Sequence, residues 1–530
     1  MVVRSWVILI AYVGAACSLT WPLISVAPTH LPLGTETSAT VPLFNLWTLR
    51  WTAANLGTAG YWHAPIFYPA EGAFAFSEPQ LPTGLAFAVL QWITNNPILS
   101  YNLLLLLILT LNGWAFYHFG KARDIPEGAA VLAGILGIGL PFVFNELGVL
   151  QLTVLFPAVF AARTVTRMAA EPSTDKGLTL GLWIALTYLM TGYYGLMLVL
   201  LLPVFTAGVV RFEALDRRHF LAVGLSLGAA TLMIAPVATI QATHTQQFTR
   251  SEESIQRNSA ELANYTQPDD AALRAHVLPT QPPDGQPLYP GTVLLLLAAV
   301  GAICHADRRM AGFLVVGAVL ALLLSLGLNL RLGVWRPYAL LIDIMPGFDR
   351  LRSPFRFAAF VQLFLLMLAT LGLDVLWQQR FGPALCLLLV MAGTLETARV
   401  PLQMEAVPEL QPDWAERLPA DAVVALIPFP NSGRTPAYEQ TALAMNQAFG
   451  VPMVNGYSGF FPTGYRLLFD SMESFPDGFT SSRLQRTGVT YLAVDSDWLS
   501  VERHEILHEL GFELVFADTD RALYVFDQSP

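Results

Sequence analysis

The chain has 530 residues, of which 54% are hydrophobic and only 13% charged, with a formal net charge of −10 and a mean hydropathy of +0.51. Soluble domains carry about 25% charged residues, so this is the composition of a membrane protein. The negative charge and the lack of a basic stripe argue against a nucleic-acid-binding protein. The cysteines Cys17, Cys304 and Cys386 lie far apart in apolar runs, which supports neither a disulfide framework nor a zinc knuckle.

Eleven apolar runs have about the length needed to cross a hydrocarbon core of roughly 30 Å. They are 5–25, 98–119, 127–143, 149–168, 177–191, 193–210, 218–240, 289–304, 310–328, 355–376 and 383–400. The first run could also be a signal peptide with a lipoprotein cleavage site at Cys17. It lacks the Leu that such a site has three positions before the cysteine, so we expect an uncleaved helix. The sequence therefore predicts a polytopic α-helical membrane protein with about 11 transmembrane helices.

A further run, Leu81 to Thr94, is too short to span, because a helix of that length rises only ~21 Å. If it does not cross, the Lys and Arg residues of the short loops all fall on the same side as Arg4, which satisfies the positive-inside rule. We therefore expect residues 27–97 to form one large extracytoplasmic loop after the first helix. The runs Leu43–Leu56 and Leu81–Thr94 are predicted to be helices lying in the membrane interface.

The same topology predicts a second large extracytoplasmic loop at 242–288 and a transmembrane domain that ends near residue 400. From 401 to 530 the composition becomes that of a soluble extracytoplasmic α/β domain. Its predicted strands are Ala422–Pro428 and Val489–Val494, followed by a hairpin, and its predicted amphipathic helices are Tyr438–Phe449 and Leu499–Leu510.

Isolated acids, aromatic residues and prolines cluster in the first loop. Glu36 lies in Leu-Gly-Thr-Glu-Thr, His63 in Trp-His-Ala-Pro, and Glu78 follows Phe-Ser. A carboxylate held among apolar groups has a raised proton affinity and could act as a base or hold a cation. The alternative is that Glu36 and Glu78 are solvated loop acids, since structural carboxylates are common.

A large outer loop after the first helix, with an acid and short surface helices, resembles the GT-C glycosyltransferases, which use polyprenyl-phosphate-linked sugars. The resemblance extends to Tyr68-Pro69, to the Tyr193-Tyr194-Gly195 turn and to Leu351-Arg352-Ser353-Pro354-Phe355-Arg356. It includes Val454-Asn455-Gly456-Tyr457 in the last domain. It covers most of the chain and rests on topology more than on any single motif.

The resemblance implies that the catalytic acid of the first loop is Glu36, where the family more often has Asp. It implies further catalytic roles for Glu78 and for Glu146, which follows the third span, although a helix-end role for Glu146 is an equally simple interpretation. A divalent cation, Mg²⁺ or Mn²⁺, could be held by these acids.

Three arginines of the outer loops are candidates for binding the phosphate of the lipid carrier. Arg250, Arg352 and Arg356 carry guanidinium groups that match phosphate oxygens, and arginines on the outer side run against the positive-inside bias. Headgroup anchoring would also explain them. His63, Tyr193 and Tyr194 complete the predicted substrate-binding residues.

The segment His504-Glu505-Ile506-Leu507-His508 matches the H-E-x-x-H pattern of zinc proteases. A catalytic zinc site needs three protein ligands, and the few residues that follow read as a hairpin. Ile506, Leu507 and Leu510 are explained by a helix that covers a sheet.

We expect a bacterial inner-membrane glycosyltransferase with a cytoplasmic N-terminus. It would move a hexosyl or pentosyl group from a polyprenyl-phosphate sugar to a glycan, lipid or protein acceptor on the extracytoplasmic face. The alternatives are a non-catalytic lipid-linked-sugar binder or flippase-like carrier and, more remotely, a membrane-anchored zinc protease.

Overall fold

The computed structural model describes residues 2–211, 213, 215–266, 272–273, 285–430 and 435–526. Residues 267–271 and 274–284 of the predicted second outer loop lie outside the described residues. The chain divides into two compact units. The first comprises residues 1–27, 102–239 and 248–403, and the second comprises 28–101, 240–247 and 404–530.

Each of the eleven apolar runs contains a helix. Within the described residues, seven helical segments are long and apolar enough to cross a membrane: Pro97–Ala122, Glu127–Asn145, Leu150–Ala170, Gly192–Val209, Arg217–His244, Arg308–Ser325 and Pro354–Trp377. The remaining runs contain the helices Val2–Leu19, Thr174–Met190, Thr292–Cys304 and Gly382–Thr397. The polytopic helical architecture is as predicted, while a count of eleven spans stays a prediction.

Small residues allow the helices of the first unit to pack backbone against backbone. A Cβ atom at Gly301 of helix Thr292–Cys304 would collide with the carbonyl oxygen of Leu368, and one at Gly372 would collide with that of Leu297. Such close approach is how helices associate where the surrounding lipid is as apolar as their side chains. Helix Ala358–Trp377, which carries Leu368 and Gly372, is consequently buried along most of its length.

Polar contacts place successive helix ends of the first unit in two groups. At one end, Arg123 pairs with Asp307 at 2.5 Å, and Nη2 of Arg309 donates to the carbonyl oxygens of Ala207 and Val210 at 2.8 and 2.7 Å. At the other end, the Ala260 N–H donates to Ser325 O at 2.9 Å. The first group joins the loops that carry Arg123 and Arg309, which the sequence predicts to be cytoplasmic.

The second unit is built around a four-stranded sheet of order β3-β4-β6-β5. The strands are β3 (Val424–Ile427), β4 (Tyr491–Asp495), β5 (Phe512–Ala517) and β6 (Arg521–Phe526). β3 and β4 are parallel, and the other pairs are antiparallel. The helices of this C-terminal part are Asp413–Glu416, Glu439–Gln447, Thr463–Ser471, Gly478–Arg486 and Val501–Glu509.

The first-loop segment belongs to this same unit. Strand β1 (His30–Pro32) pairs antiparallel with β2 (Met404–Ala406), which is distant from it in sequence. Helix Thr40–Asn55 was expected in the membrane interface, but its residues are buried on nearly every side, and Nη1 of Arg50 donates to Asn446 O at 2.7 Å. Its apolar residues form the core of a folded unit, so the interfacial interpretation was wrong for this helix.

Helix Leu81–Thr94 has the predicted bounds and, unlike helix Thr40–Asn55, has one exposed apolar side. Gln80 Nε2 donates to Asn45 Oδ1 at 2.7 Å on its packed side, whereas Leu85, Val89 and Trp92 are more than half exposed on the other. An exposed apolar stripe at this helical spacing is typical of a helix lying in a lipid interface.

Candidate lipid-phosphate site and first-loop carboxylates

Two adjacent tyrosines begin helix Gly192–Val209 and face different surroundings. The Tyr194 side chain is fully buried, its hydroxyl donates to Leu152 O at 2.6 Å, and its ring packs edge-on against Phe360. Tyr193 is half-buried and turns toward the loop that carries Arg352. Tyr194 therefore packs inside the protein in this structure, and Tyr193 is the one of the two tyrosines that we retain as a substrate-binding candidate.

Tyr193 brings two of the predicted arginines together. The guanidinium carbon of Arg356 lies 4.3 Å from the centroid of the Tyr193 ring, and the backbone N–H of Arg352 donates to the Tyr193 hydroxyl at 3.2 Å. The Arg352 side chain is exposed and that of Arg356 half-buried. Stacking on an aromatic face holds a guanidinium in place while its N–H groups stay directed outward.

Arg250 joins the same loop through the backbone. Its N–H donates to the carbonyl oxygen of Asp349 at 3.4 Å, and the Asp349 carboxylate lies 3.9 Å from Nε of Arg350. We call Arg250, Arg350, Arg352, Arg356 and Tyr193 the arginine cluster. Its four guanidinium groups outnumber the Asp349 carboxylate beside them, so the local charge favours an anionic ligand.

A buried phenol lies beside this cluster. Tyr338, on helix Pro337–Ile344, is 2% exposed, and among the described residues its hydroxyl has no hydrogen-bond partner. Burial raises the pKa of Tyr338, and the nearby Tyr193 phenol raises it further. Leaving a buried hydroxyl unsatisfied costs about 1–3 kcal/mol, so a phosphate oxygen reaching this hydroxyl would remove that penalty.

Glu146 lies in a different environment in the same unit. It is 5% exposed, and its charge acts on Arg399, which is 6% exposed. Asn145, beside it, donates its side-chain amide to Pro287 O. These contacts favour the helix-end, structural interpretation of Glu146 over the catalytic one.

The first-loop acids belong to the second unit. Glu36 is half-buried in the turn after β1, where its backbone N–H donates to Leu33 O at 3.0 Å. Glu78 is half-buried, and the carbonyl oxygen of the next residue, Pro79, accepts from the Thr52 hydroxyl at 3.1 Å. His63 is exposed, and its Nδ1 accepts from the Gly72 N–H at 3.2 Å. The loop is thus held by packing rather than left as a solvated connection.

A further carboxylate beside this loop was missed by the sequence analysis. Glu439, the first residue of helix Glu439–Gln447, accepts hydrogen bonds from the Ala39 N–H and the Ser38 hydroxyl. Burial raises its pKa, the charge of Glu405 raises it further, and the two hydrogen bonds act in the opposite direction. Glu439 is far from Ser38 and Ala39 in sequence, so only a long-range pairing such as that of β1 with β2 could have indicated that it lies beside the first loop.

The H-E-x-x-H segment forms the predicted helix, Val501–Glu509. His504 Nδ1 lies 2.7 Å from the Tyr524 hydroxyl on β6, and Leu507 is fully buried against the sheet. In the part of the chain that the structure describes, no three His, Cys, Asp or Glu side chains are arranged to hold a metal ion. The segment therefore has a structural explanation, while a divalent cation held by the first-loop acids stays a prediction.

Comparison with solved structures defines the fold. The arabinofuranosyltransferase AftD from Mycobacteria aligns over 99% of this chain and 40% of its own length, at 14% identity and a TM-score of 0.64. The Archaeoglobus fulgidus oligosaccharyltransferase aligns over 99% and 74% at 14% identity and 0.56. ArnT from Cupriavidus metallidurans, bound to undecaprenyl phosphate, aligns over 99% and 98% at 13% identity and 0.51.

This chain has the GT-C glycosyltransferase fold, as the sequence resemblance implied, and it is a polytopic membrane protein. It spans less than half the length of the arabinofuranosyltransferase that it matches. No protein-family model and no curated protein matches its sequence.

Proposed function

We propose that this protein transfers a sugar from a polyprenyl-phosphate carrier to an acceptor on the extracytoplasmic face. The observation that carries the proposal is the arginine cluster, in which Arg356 is stacked on Tyr193 and the backbone of Arg352 is fixed by the same side chain. The structures with the same fold include ArnT bound to undecaprenyl phosphate and an archaeal oligosaccharyltransferase with a dolichol-phosphate.

The role of the cluster is to bind the phosphate that joins sugar and lipid. Arg352 and Arg356 supply charge-assisted hydrogen bonds to the phosphate oxygens, Arg250 adds to the local positive charge, and Tyr338 offers its hydroxyl. The same contacts stabilise the negative charge that grows on the phosphate as the bond to the sugar breaks. Because polyprenyl phosphate is a stable anion, it leaves without needing a proton.

The role of Glu36 is that of a general base. Its carboxylate takes the proton of an acceptor hydroxyl, the oxygen of that hydroxyl forms a bond to the anomeric carbon, and the bond from that carbon to the phosphate oxygen breaks. The products are the glycosylated acceptor, polyprenyl phosphate and a protonated Glu36. Glu78 positions the acceptor. The charge of Glu146 acts electrostatically on Arg399, and Glu146 takes part in no chemical step of this mechanism.

The test is native mass spectrometry of the full chain, purified in mild detergent from a membrane extract that contains polyprenyl-phosphate sugars. We expect the wild type to carry free polyprenyl phosphate and Glu36→Gln to carry the intact sugar-lipid. Glu71→Gln removes an exposed acid of the same loop and is the matched control, expected to behave as the wild type.

Two results would contradict the proposal. If the wild type and Glu36→Gln retain the same sugar-lipid, the second candidate, a non-catalytic binder or carrier, is favoured. The second candidate is also favoured by Glu36 itself, because the enzymes that this chain resembles more often have Asp there. Absence of any polyprenyl lipid from the wild type would remove the lipid-dependent function altogether.

A further inference from the structure

A cavity of about 490 Å³ opens beside the arginine cluster in the first unit. Phe355 lines the cavity, and its sequence neighbour Arg356 belongs to the cluster. The Phe355 N–H donates to Asn258 O at 3.2 Å, which ties the two walls together. The volume lies within the range of about 300–1,000 Å³ typical of small-molecule sites.

The lining of this cavity is rich in side-chain amides. Gln256, Asn258, Asn264 and Asn329 all contribute to it. Nδ2 of Asn258 donates to Ser254 O at 2.8 Å, and Nδ2 of Asn329 donates to Ser259 O at 3.2 Å. Those bonds fix both side chains, and within the described residues neither Oδ1 atom accepts a hydrogen bond.

The charge of the lining argues against a second phosphate site. Glu253, Glu261 and Arg257 line the cavity, and Nε of Arg257 lies 3.9 Å from Oε1 of Glu253. Among the described lining residues, two carboxylates and one guanidinium leave the wall slightly negative, which disfavours a phosphate or carboxylate group there. A neutral ligand that both donates and accepts many hydrogen bonds fits this set of groups best.

From these contacts we propose that the cavity is a sugar subsite, which binds the hydroxyl groups of a neutral saccharide. Hydroxyls can donate to the fixed Asn258 and Asn329 oxygens and accept from the Gln256 amide, while Phe355 offers an apolar surface. Only the source of the saccharide rests on the proposed function. The saccharide is either the sugar attached to the carrier phosphate at the arginine cluster or part of a glycan acceptor.

Gln256 is the residue through which to test the subsite. Among the described residues its side-chain amide has no protein partner, and Leu has a similar volume and helix propensity, so Gln256→Leu should fold normally. The control is Glu252→Gln. Glu252 lies on the same helix outside the lining, where Arg336 approaches it at 3.4 Å.

Binding would be measured on the full chain in nanodiscs with three probes. These are undecaprenyl phosphate, undecaprenyl phosphate glucose, and a panel of free neutral trisaccharides of gluco, manno, galacto and arabino configuration. A loss of at least tenfold in trisaccharide affinity for Gln256→Leu, with the lipid probes unchanged, supports an acceptor subsite. A loss confined to undecaprenyl phosphate glucose supports a donor-sugar subsite.

The proposal is overturned if Gln256→Leu and Glu252→Gln bind all three probes alike, or if the wild type binds no trisaccharide and binds undecaprenyl phosphate glucose no more tightly than undecaprenyl phosphate. Failure of the wild type to bind undecaprenyl phosphate would instead count against the proposed function. The trisaccharide measurement would still report on the cavity in that case, so the two failures are distinguishable.

Discussion

The guanidinium group of Arg356 is stacked on the ring of Tyr193 at 4.3 Å, and the hydroxyl of that ring accepts the N–H of Arg352 at 3.2 Å. One tyrosine thus orients one arginine through its face and the backbone of another through its oxygen. A flexible guanidinium loses less conformational entropy on binding when it is already held in place. Tyr193 is therefore expected to act through the arginines rather than only by its own contact with a ligand.

Substitutions at this pair should separate charge from orientation in binding undecaprenyl phosphate. Arg356→Gln removes a charge-assisted hydrogen bond, worth about 1.5–3 kcal/mol, and should weaken binding by roughly ten- to a hundredfold. Tyr193→Phe keeps the stacked ring and should weaken it only a few-fold, whereas Tyr193→Leu should approach the effect of Arg356→Gln. Titration in nanodiscs measures all three.

Arg331→Gln is the control for general attraction to the anionic lipid, because Arg331 is an exposed arginine of the segment that joins helices Arg308–Ser325 and Ala358–Trp377 and that also carries Arg352. It should leave the affinity near that of the wild type. Equal losses for Arg331→Gln and Arg356→Gln would mean that the arginines contribute only diffuse charge and do not form a defined phosphate site.

Glu146 and Arg399 should behave as a structural pair. Removing one partner leaves a buried charge uncompensated, at a cost of about 3–5 kcal/mol. We therefore expect Glu146→Gln and Arg399→Met each to lower the thermal unfolding temperature. The double variant should lose less stability than the sum of the two. Thermal unfolding of the four proteins in the same detergent provides this double-mutant cycle.

The opposite result would restore a chemical role to Glu146. If Glu146→Gln unfolds at the wild-type temperature but no longer releases the sugar from its carrier, the carboxylate acts on the substrate rather than on Arg399. In that case the structural interpretation favoured by its burial is wrong.

Local patterns predicted the helices of the first unit well, because the length and polarity of an apolar run determine whether it forms a long helix. The same patterns misjudged helix Thr40–Asn55. Its Trp and Leu residues look interfacial in the sequence, yet they are buried because distant parts of the chain, including Asn446, pack against them. Whether an apolar helix meets lipid or protein is decided by such long-range contacts.

The candidate site residues also divide into those that the sequence could predict and those that depend on long-range contacts. Arg352 and Arg356 were predicted because arginines on the outer side of a membrane protein need an explanation, and the structure brings them onto Tyr193. Glu439 could not be predicted, because its proximity to Ser38 and Ala39 accompanies the pairing of strands that are far apart in sequence. Tyr338 carries no signal in the sequence, because its burial and the lack of a hydroxyl partner among the described residues are seen only in the structure.

Helix Leu81–Thr94 should lie in the interface without crossing the membrane. In a variant with Cys17, Cys304 and Cys386 replaced by Ser, single cysteines at Glu71 and at Asn95 flank the helix at exposed positions. Both should react in intact cells with a membrane-impermeant maleimide, because the two ends of a non-spanning helix lie on one side.

A cysteine at the exposed Lys121, in the last turn of helix Pro97–Ala122, should be protected in the same cells and react only after lysis. Labelling of just one of the Glu71 and Asn95 positions would show that the helix spans. In that case either the N-terminus or the later Lys- and Arg-bearing loops would violate the positive-inside rule.

Glu439 should make the stability of the protein depend on pH. Because burial raises its pKa, the folded protein keeps this proton to a higher pH than the unfolded chain, where the pKa of Glu is about 4.3. The stability from this group is therefore present in full at low pH and is lost as the pH rises through the folded-state pKa. Glu439→Gln removes the charge and keeps an oxygen that can accept from Ala39 and Ser38.

We therefore expect Glu439→Gln to unfold at a higher temperature than the wild type at pH 7, with the difference shrinking toward pH 4. Glu405→Gln is the companion variant. It removes the charge that adds to the raised pKa of Glu439, so it should give a smaller change in the same direction. A lower unfolding temperature for Glu439→Gln at pH 7 would mean that the carboxylate is ionised and held by the Ala39 and Ser38 hydrogen bonds. The charge would then stabilise the first loop, because it strengthens those two bonds more than burial penalises it.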